Sequence, residues 1–316
     1  MKCISLIIPC FNEEESLEML YKELCNVSSS MGEKYDLVFE FLLINDGSRD
    51  RTLPMLRELA EKDSRVRYIS FSRNFGKESS IYAGLQNCVG DFITVLDADL
   101  QHPPSMLPQM YEGIANEGFD CVAARRTSRD GEPPIRSFFA RCFYRLVNRI
   151  SGTKMLDGAT DFAMMTRQVV EAILTMPEYN RFSKGIYSWV GFETKWLPYR
   201  NVERAFGSTK WSFWKLFIYS LDGIMSFSTA PLVLASFLGI LLFFISLIII
   251  CFVLVRTLLY GDPVTGFPTL IIAITFIGGI QLFCTGILGH YLAKTYTEVK
   301  KRPIYLIKES KLGFKP

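Results

Sequence analysis

Apart from Ser5, residues 4–9 form a continuous apolar run, the pattern of a strand buried on both faces. Helical spacing follows over 16–31, where Leu17, Leu20 and Leu24 share one side. The same alternation continues: strand at 39–44, helix at 53–62, strand at 66–71, helix at 79–88, strand at 92–96. Strands alternating with helices predict an α/β domain with a mostly parallel, doubly wound sheet. Such sheets bind ligands at the carboxyl ends of their strands. The segments there are PCFNEEE, NDGSRD, SRNFGKE and DADLQHPP, all polar and rich in Gly or acids. NEEE follows the first apolar run with no small-residue cleavage site, so that run reads as a strand and not as a secretion signal.

Beyond residue 119 the alternation weakens, with a fifth strand readable at 120–124. Residues 134–150 interleave four arginines with aromatic and aliphatic residues. That pattern suits a helix on a membrane surface, and it equally suits a helix packed on the sheet. Residues 211–219 repeat it with two tryptophans, which favours the interfacial reading. Two stretches, 229–256 and 267–292, then exceed the roughly 20 apolar residues that cross the hydrocarbon. They predict a two-helix transmembrane hairpin. The chain divides accordingly into a catalytic domain (1–205), an amphipathic juxtamembrane segment (206–228), span one (229–256), a short non-cytoplasmic loop (257–266), span two (267–292) and a basic cytoplasmic tail (293–316).

Charge fixes the orientation. The net charge of +3 is small, but lysines and arginines flank the outer ends of both spans, whereas the connecting loop is bordered only by Arg256. Positive charge stays cytoplasmic, so both termini and the α/β domain are expected inside, at a plasma (inner) membrane. The hydrophobic share of 49% is too high for a chain soluble throughout and too low for one in the membrane throughout. The 8 cysteines include no CxxC pair, and with 2 histidines there is no zinc pattern; reduced thiols are expected.

Chemistry concentrates after the fourth strand, in Asp97-Ala98-Asp99-Leu100-Gln101. In an extended segment, residues two apart point the same way. Asp97, Asp99 and Gln101 would then offer three oxygens to one hard divalent cation. A solvated acidic turn accounts for the same residues taken alone. Their company changes the reading. Pro9-Cys10-Phe11-Asn12-Glu13, Asn45-Asp46-Gly47-Ser48, Arg73-Asn74-Phe75-Gly76-Lys77-Glu78 and DADLQHPP stand in this order, each after a strand. Together they resemble glycosyltransferase family 2 with a GT-A, Rossmann-like fold. More narrowly they are similar to the polyprenyl-phosphate glycosyltransferases, which include bactoprenol glucosyltransferases and dolichol-phosphate mannose synthases. The likeness continues through DGATDFAMMTR, NRFSKGIYSWVGF, Gly207 to Trp211 and VKKRPIY.

The resemblance implies roles. Pro9, Phe11, Glu13, Asp46, Lys77 and Asp97 match nucleotide-sugar-binding positions, with Lys77 near the diphosphate. Asn45 stands where the family usually has a second acid. Asp97, Asp99 and Gln101 match the metal motif, for Mg²⁺ or Mn²⁺, with Asp99 essential to turnover. Asp161 matches the Asp of an Asp-Phe-Arg-Leu motif whose Arg is Ala163 here, and Asp157 is the alternative base. Arg126, Arg129, Arg204 and Lys210 match basic positions that meet the lipid phosphate. The implied reaction is inverting transfer of a hexose from UDP-glucose, or UDP-N-acetylglucosamine, to undecaprenyl phosphate in a bilayer. A homo-oligomer is expected, and nucleic acid is not a partner. A processive polysaccharide synthase is the first alternative, although no Gln here begins the Gln-x-x-Arg-Trp motif of those enzymes. A catalytically silent scaffold or flippase component is the second, and the acidic cluster argues against it.

Overall fold

A computed structural model describes residues 1–127, 158–199, 228–260 and 266–313. Their centre is one sheet in the order β7-β5-β6-β4-β1-β2-β3-β8. Strands β1 (Lys2–Cys10), β2 (Leu37–Asn45), β3 (Val66–Phe71) and β4 (Phe92–Val95) run parallel. Their largely apolar runs follow from burial on both faces, and the charges inside them, Glu40 and Arg67, pair with each other. Ile4, Leu6 and Ile8 face a core closed by α1 (Leu17–Tyr35), α2 (Thr52–Lys62) and α4 (Leu107–Ala115). Ile7, Leu42, Ile44 and Val95 face the opposite core. That core is closed by α3 (Lys77–Asn87), α5 (Arg167–Leu174) and α6 (Ser183–Trp189).

Beside this parallel centre the sheet becomes mixed. β6 (Ala159–Thr166) pairs antiparallel with both β4 and β5 (Cys121–Arg126), and β7 (Thr194–Tyr199) pairs parallel with β5. The β4–β6 register places Val95 opposite Ala163. Two residues further along each strand's path stand Asp97 and Asp161. Residues 64 positions apart in the chain thus reach one spot.

The C-terminal part departs from the sequence reading in two ways. Two long helices are present, α7 (Ala230–Tyr260) and α8 (Phe267–Val299). They pack together, with the Tyr291 hydroxyl donating to the Ser228 carbonyl at 2.5 Å. Among the described residues one stretch, Phe276–Val299, is long and apolar enough to cross a membrane, and Ala230–Leu242 forms a shorter apolar stretch. The expected pair of spans at 229–256 and 267–292 is therefore matched by two helices but by a single spanning-length window. Residues 293–316, read as a tail, hold the end of α8 and β8 (Ile307–Lys311), which adds antiparallel to β3. Arg57 forks onto Glu309 at 2.8 and 2.6 Å, and the Tyr305 ring stacks on Phe71 at 5.0 Å. The IKESK strand has no apolar alternation, because it is an edge strand with one neighbour.

Candidate active site

The loops after β1 and β2 are laced together before any ligand arrives. Asp46 N–H donates to the Cys10 carbonyl at 2.9 Å, and Arg49 N–H to Asn12 Oδ1 at 2.9 Å. Glu13 N–H donates to Thr52 Oγ1 at 2.9 Å, and Ser16 Oγ to Glu13 Oε2 at 2.8 Å. Gly47 adopts φ +67°, and a Cβ there would lie 2.5 Å from the Arg73 carbonyl carbon, so this turn needs glycine. Pro9 and Phe11 stand at the end of β1, beside this lattice.

Asn45 and Asp46 are both engaged by neighbouring loops. Asn45 Nδ2 donates to Ser70 Oγ at 2.8 Å and its Oδ1 accepts from Ser48 N–H at 3.1 Å, so the amide closes the turn. It is 1% exposed, which leaves it no base edge to read. Asp46 accepts from the backbone N–H groups of Phe75 (2.6 Å) and Gly76 (2.9 Å). It thereby fixes the loop that delivers Lys77. Burial pushes its carboxyl up to about 6, against the two N–H bonds and Arg73, which pull it down.

That shift has a testable sign. The folded-state pKa lies above the ordinary carboxylate value, so folding favours the protonated form. The contribution is fully present below the unfolded value and is lost as pH rises through about 6. Each unit of such a shift corresponds to about 1.4 kcal/mol. Asp46→Asn, neutral at every pH, is expected to lack this slope. The melting temperature of the wild type should fall relative to the variant between about pH 4 and pH 7. Parallel melting curves across that range would refute the assignment.

Lys77 opens α3, after Gly76 at φ +97°. Its Nζ bridges Asp97 Oδ1 at 2.6 Å and Asp161 Oδ2 at 2.8 Å. Burial alone would lower the lysine, but Asp161 and Asp97 reverse this and hold it well above its ordinary pKa. Burial would likewise raise both carboxyls. Lys77 outweighs it at Asp97, with His102, and at Asp161, with Lys184, so both stay below the usual range. Asp161 Oδ1 is buried with no hydrogen-bond partner.

Several neighbours carried no separate signal in the sequence. His102 is 4% exposed, stacks on Phe162 at 5.3 Å and places Nδ1 3.6 Å from Asp97 Oδ2. Burial lowers its pKa, against Asp97, which raises it. Glu78, next to Lys77, accepts from Ser183 N–H at 3.0 Å and from the Ser183 hydroxyl. Burial, then Asp161, raises its carboxyl. The same two influences, with burial first, raise Tyr187 on α6. The NRFSKGIYSWVGF motif thus borders the acidic site, through Ser183, Lys184 and Tyr187.

The DADLQ segment is a tight turn and not extended. Leu100 has φ +59°, and Gln101 N–H donates to Asp99 Oδ1 at 3.1 Å. Alternation therefore does not aim these side chains: Asp97 turns to Lys77 and His102, while Asp99 closes the turn. Carboxylate donors here suit a hard divalent ion. Among the described residues, no three His, Cys, Asp or Glu side chains form a ready cage. An ion held by Asp97 and Asp99 would take its other ligands from a diphosphate and water. Arg126 ends β5, its N–H donating to the Gly158 carbonyl at 2.9 Å. Arg129, Asp157, Arg204 and Lys210 lie outside the described residues, as do 134–150 and 211–219.

Residues 5–174 match the family described as Glycosyl transferase family 2. The chain is 41% identical over 308 residues to a prophage bactoprenol glucosyl transferase homolog of Escherichia coli (strain K12), covering 98% of this chain and 99% of that protein. It is 41% identical over 310 residues to the bactoprenol glucosyl transferase of Shigella phage SfII, with the same coverage, 98% and 99%. A crystal structure of glucosyl-3-phosphoglycerate synthase from Mycobacterium tuberculosis shares 18% identity at a TM-score of 0.45, covering 71% of this chain and 76% of that one. The sheet, parallel at its centre and flanked by helices, is GT-A-like.

Proposed function

The chain belongs to glycosyltransferase family 2, and on that premise we propose that it transfers glucose from UDP-glucose to a polyprenyl phosphate at a membrane. UDP-N-acetylglucosamine is the competing donor, and undecaprenyl phosphate the acceptor in a bacterium. The observation that carries this reading is Lys77 held between Asp97 and Asp161, at the strand ends of a domain bolted to an apolar helix. The bactoprenol names of its relatives support the acceptor.

The chemistry follows from the two anions the site must bring together. The donor diphosphate lies along the start of α3, where the helix terminus and Lys77 favour negative charge. A divalent ion, Mg²⁺ or Mn²⁺, held by Asp97 and Asp99 beside Gln101 supplies charge neutralisation for the departing diphosphate. The lipid phosphate has a second pKa of about 6, so near neutral pH it is largely a dianion. Its oxygen attacks the anomeric carbon, the bond from that carbon to the diphosphate oxygen breaks, and UDP leaves with the electron pair. The configuration inverts. No proton has to be removed from the nucleophile, so Asp161 is assigned to holding Lys77 in place and not to base catalysis. Arg126, Arg129, Arg204 and Lys210 are assigned to the lipid phosphate. On this reading the acceptor's headgroup meets the site at the membrane surface, with both termini on the cytoplasmic face of the inner membrane.

Incubating the purified protein in vesicles with labelled UDP-sugars and undecaprenyl phosphate tests the reading. A lipid-extractable monosaccharide, formed fastest from UDP-glucose, is the expected product. A polymer, or no product from any donor, would overturn it.

A further inference from the structure

Glu298 sits in the last turn of α8, where a carboxylate is disfavoured by the helix dipole. It is held there by the catalytic domain. Its oxygens accept the Tyr179 N–H at 3.1 and 3.0 Å, the Asn180 N–H at 2.9 Å and Asn180 Nδ2 at 3.0 Å. Asn180 Nδ2 also donates to Thr297 Oγ1 at 2.9 Å. Two successive backbone N–H groups closing on one carboxylate make an anion nest. A second pin lies just beyond, where Ser72 N–H donates to the Leu306 carbonyl at 3.0 Å ahead of β8.

The clamped segment leads straight to the active site. Arg181 follows Asn180, buried, with its guanidinium 4.3 Å over the Tyr82 ring. Ser183 comes next and binds Glu78, the neighbour of Lys77. Lys184 then acts on Asp161 electrostatically. Two residues, Arg181 and Phe182, thus separate the clamp from the Ser183–Glu78 contact, and Lys77 is the chain neighbour of Glu78. The apolar stretch Phe276–Val299 ends at this clamp.

We infer that Glu298 is a positioning residue that sets the depth of the active site relative to the bilayer. It fixes the 179–184 segment to the end of the membrane helix, so that the site meets a phosphate headgroup anchored by its lipid. The inference rests on the proposed transfer to a lipid phosphate. It separates two things a structural contact would not: use of an acceptor confined to the membrane and use of one that is free.

The test compares Glu298→Ala with wild type, both in vesicles, on membrane-borne undecaprenyl phosphate and on a short-chain, water-soluble prenyl phosphate. The expected loss in kcat/KM is about tenfold or more on the membrane-borne acceptor and about twofold or less on the soluble one. Glu298→Gln, which keeps one acceptor oxygen, should fall between. Hydrogen exchange should quicken at the Tyr179 and Asn180 amides while the β1–β4 amides stay protected. Equal loss on both acceptors, no loss on either, or unchanged protection at Tyr179 and Asn180 would overturn the inference. Wild type inactive on both acceptors would instead overturn the functional reading beneath it.

Discussion

Lys77→Ala is expected to lower kcat/KM for the sugar donor by about 100- to 1000-fold, the range seen when one preorganised electrostatic group is removed. Lys77 contributes in two ways. It is a fixed cation at the start of α3, where the leaving diphosphate is placed, and it separates Asp97 from Asp161. Without it, two neighbouring half-buried carboxylates face each other, which favours uptake of a proton by one of them. The variant's pH–rate profile should therefore rise through a higher apparent pKa than that of wild type. Lys77→Arg should recover only part of the rate, because a planar fork cannot replace a point charge reaching both acids. Initial rates of glycolipid formation across pH provide the measurement. A variant within about threefold of wild type, with an unmoved profile, would show that Lys77 does not act on the reaction.

The sequence was most legible where burial is symmetrical. Strands β1 to β4 are largely apolar because both faces are covered, and their expected bounds lie within a few residues of those found. β8 and β6 escaped for opposite reasons. IKESK is an edge strand with most of its side chains exposed, so no pattern marks it. β6 opens on half-buried Ala159, Thr160 and Asp161, and its apolar part is short. Individual site residues could be named from ordered motifs, but their meeting could not. Asp161 joins Asp97 only through the antiparallel β4–β6 register, which is long-range information. The alternation argument for Asp97, Asp99 and Gln101 failed because Leu100 takes a left-handed conformation that side-chain spacing does not announce. Asp46 adds a contact that its motif does not announce: its carboxylate holds the loop that carries Phe75 and Gly76. Glu298 had no local signal, since its partners lie 118 and 119 positions away.

Withdrawal of divalent metal should nearly abolish turnover, and Asp99→Asn should do the same with metal present. The substitution isolates charge from shape. Asparagine keeps an oxygen that can accept the Gln101 N–H, so the turn closed by Asp99 Oδ1 can persist. What disappears is one anionic donor for a hard cation, whose remaining ligands must come from the diphosphate and water. A neutral amide binds such an ion far less tightly, and the loss should show as a raised metal requirement as well as a lower rate. EDTA treatment of the wild type is expected to cut the rate by about 100-fold or more, because the charge on the departing diphosphate is then left to Lys77 alone. Adding back Mg²⁺ or Mn²⁺ should restore it, and the more effective ion identifies the preferred one. Asp99→Asn should regain activity only at much higher metal concentration. Isothermal titration of Mn²⁺ in the presence of UDP gives the same comparison without turnover. Full activity of the wild type in EDTA, or equal Mn²⁺ affinity in both proteins, would remove Asp99 from the metal site and leave Lys77 as the cation that faces the donor.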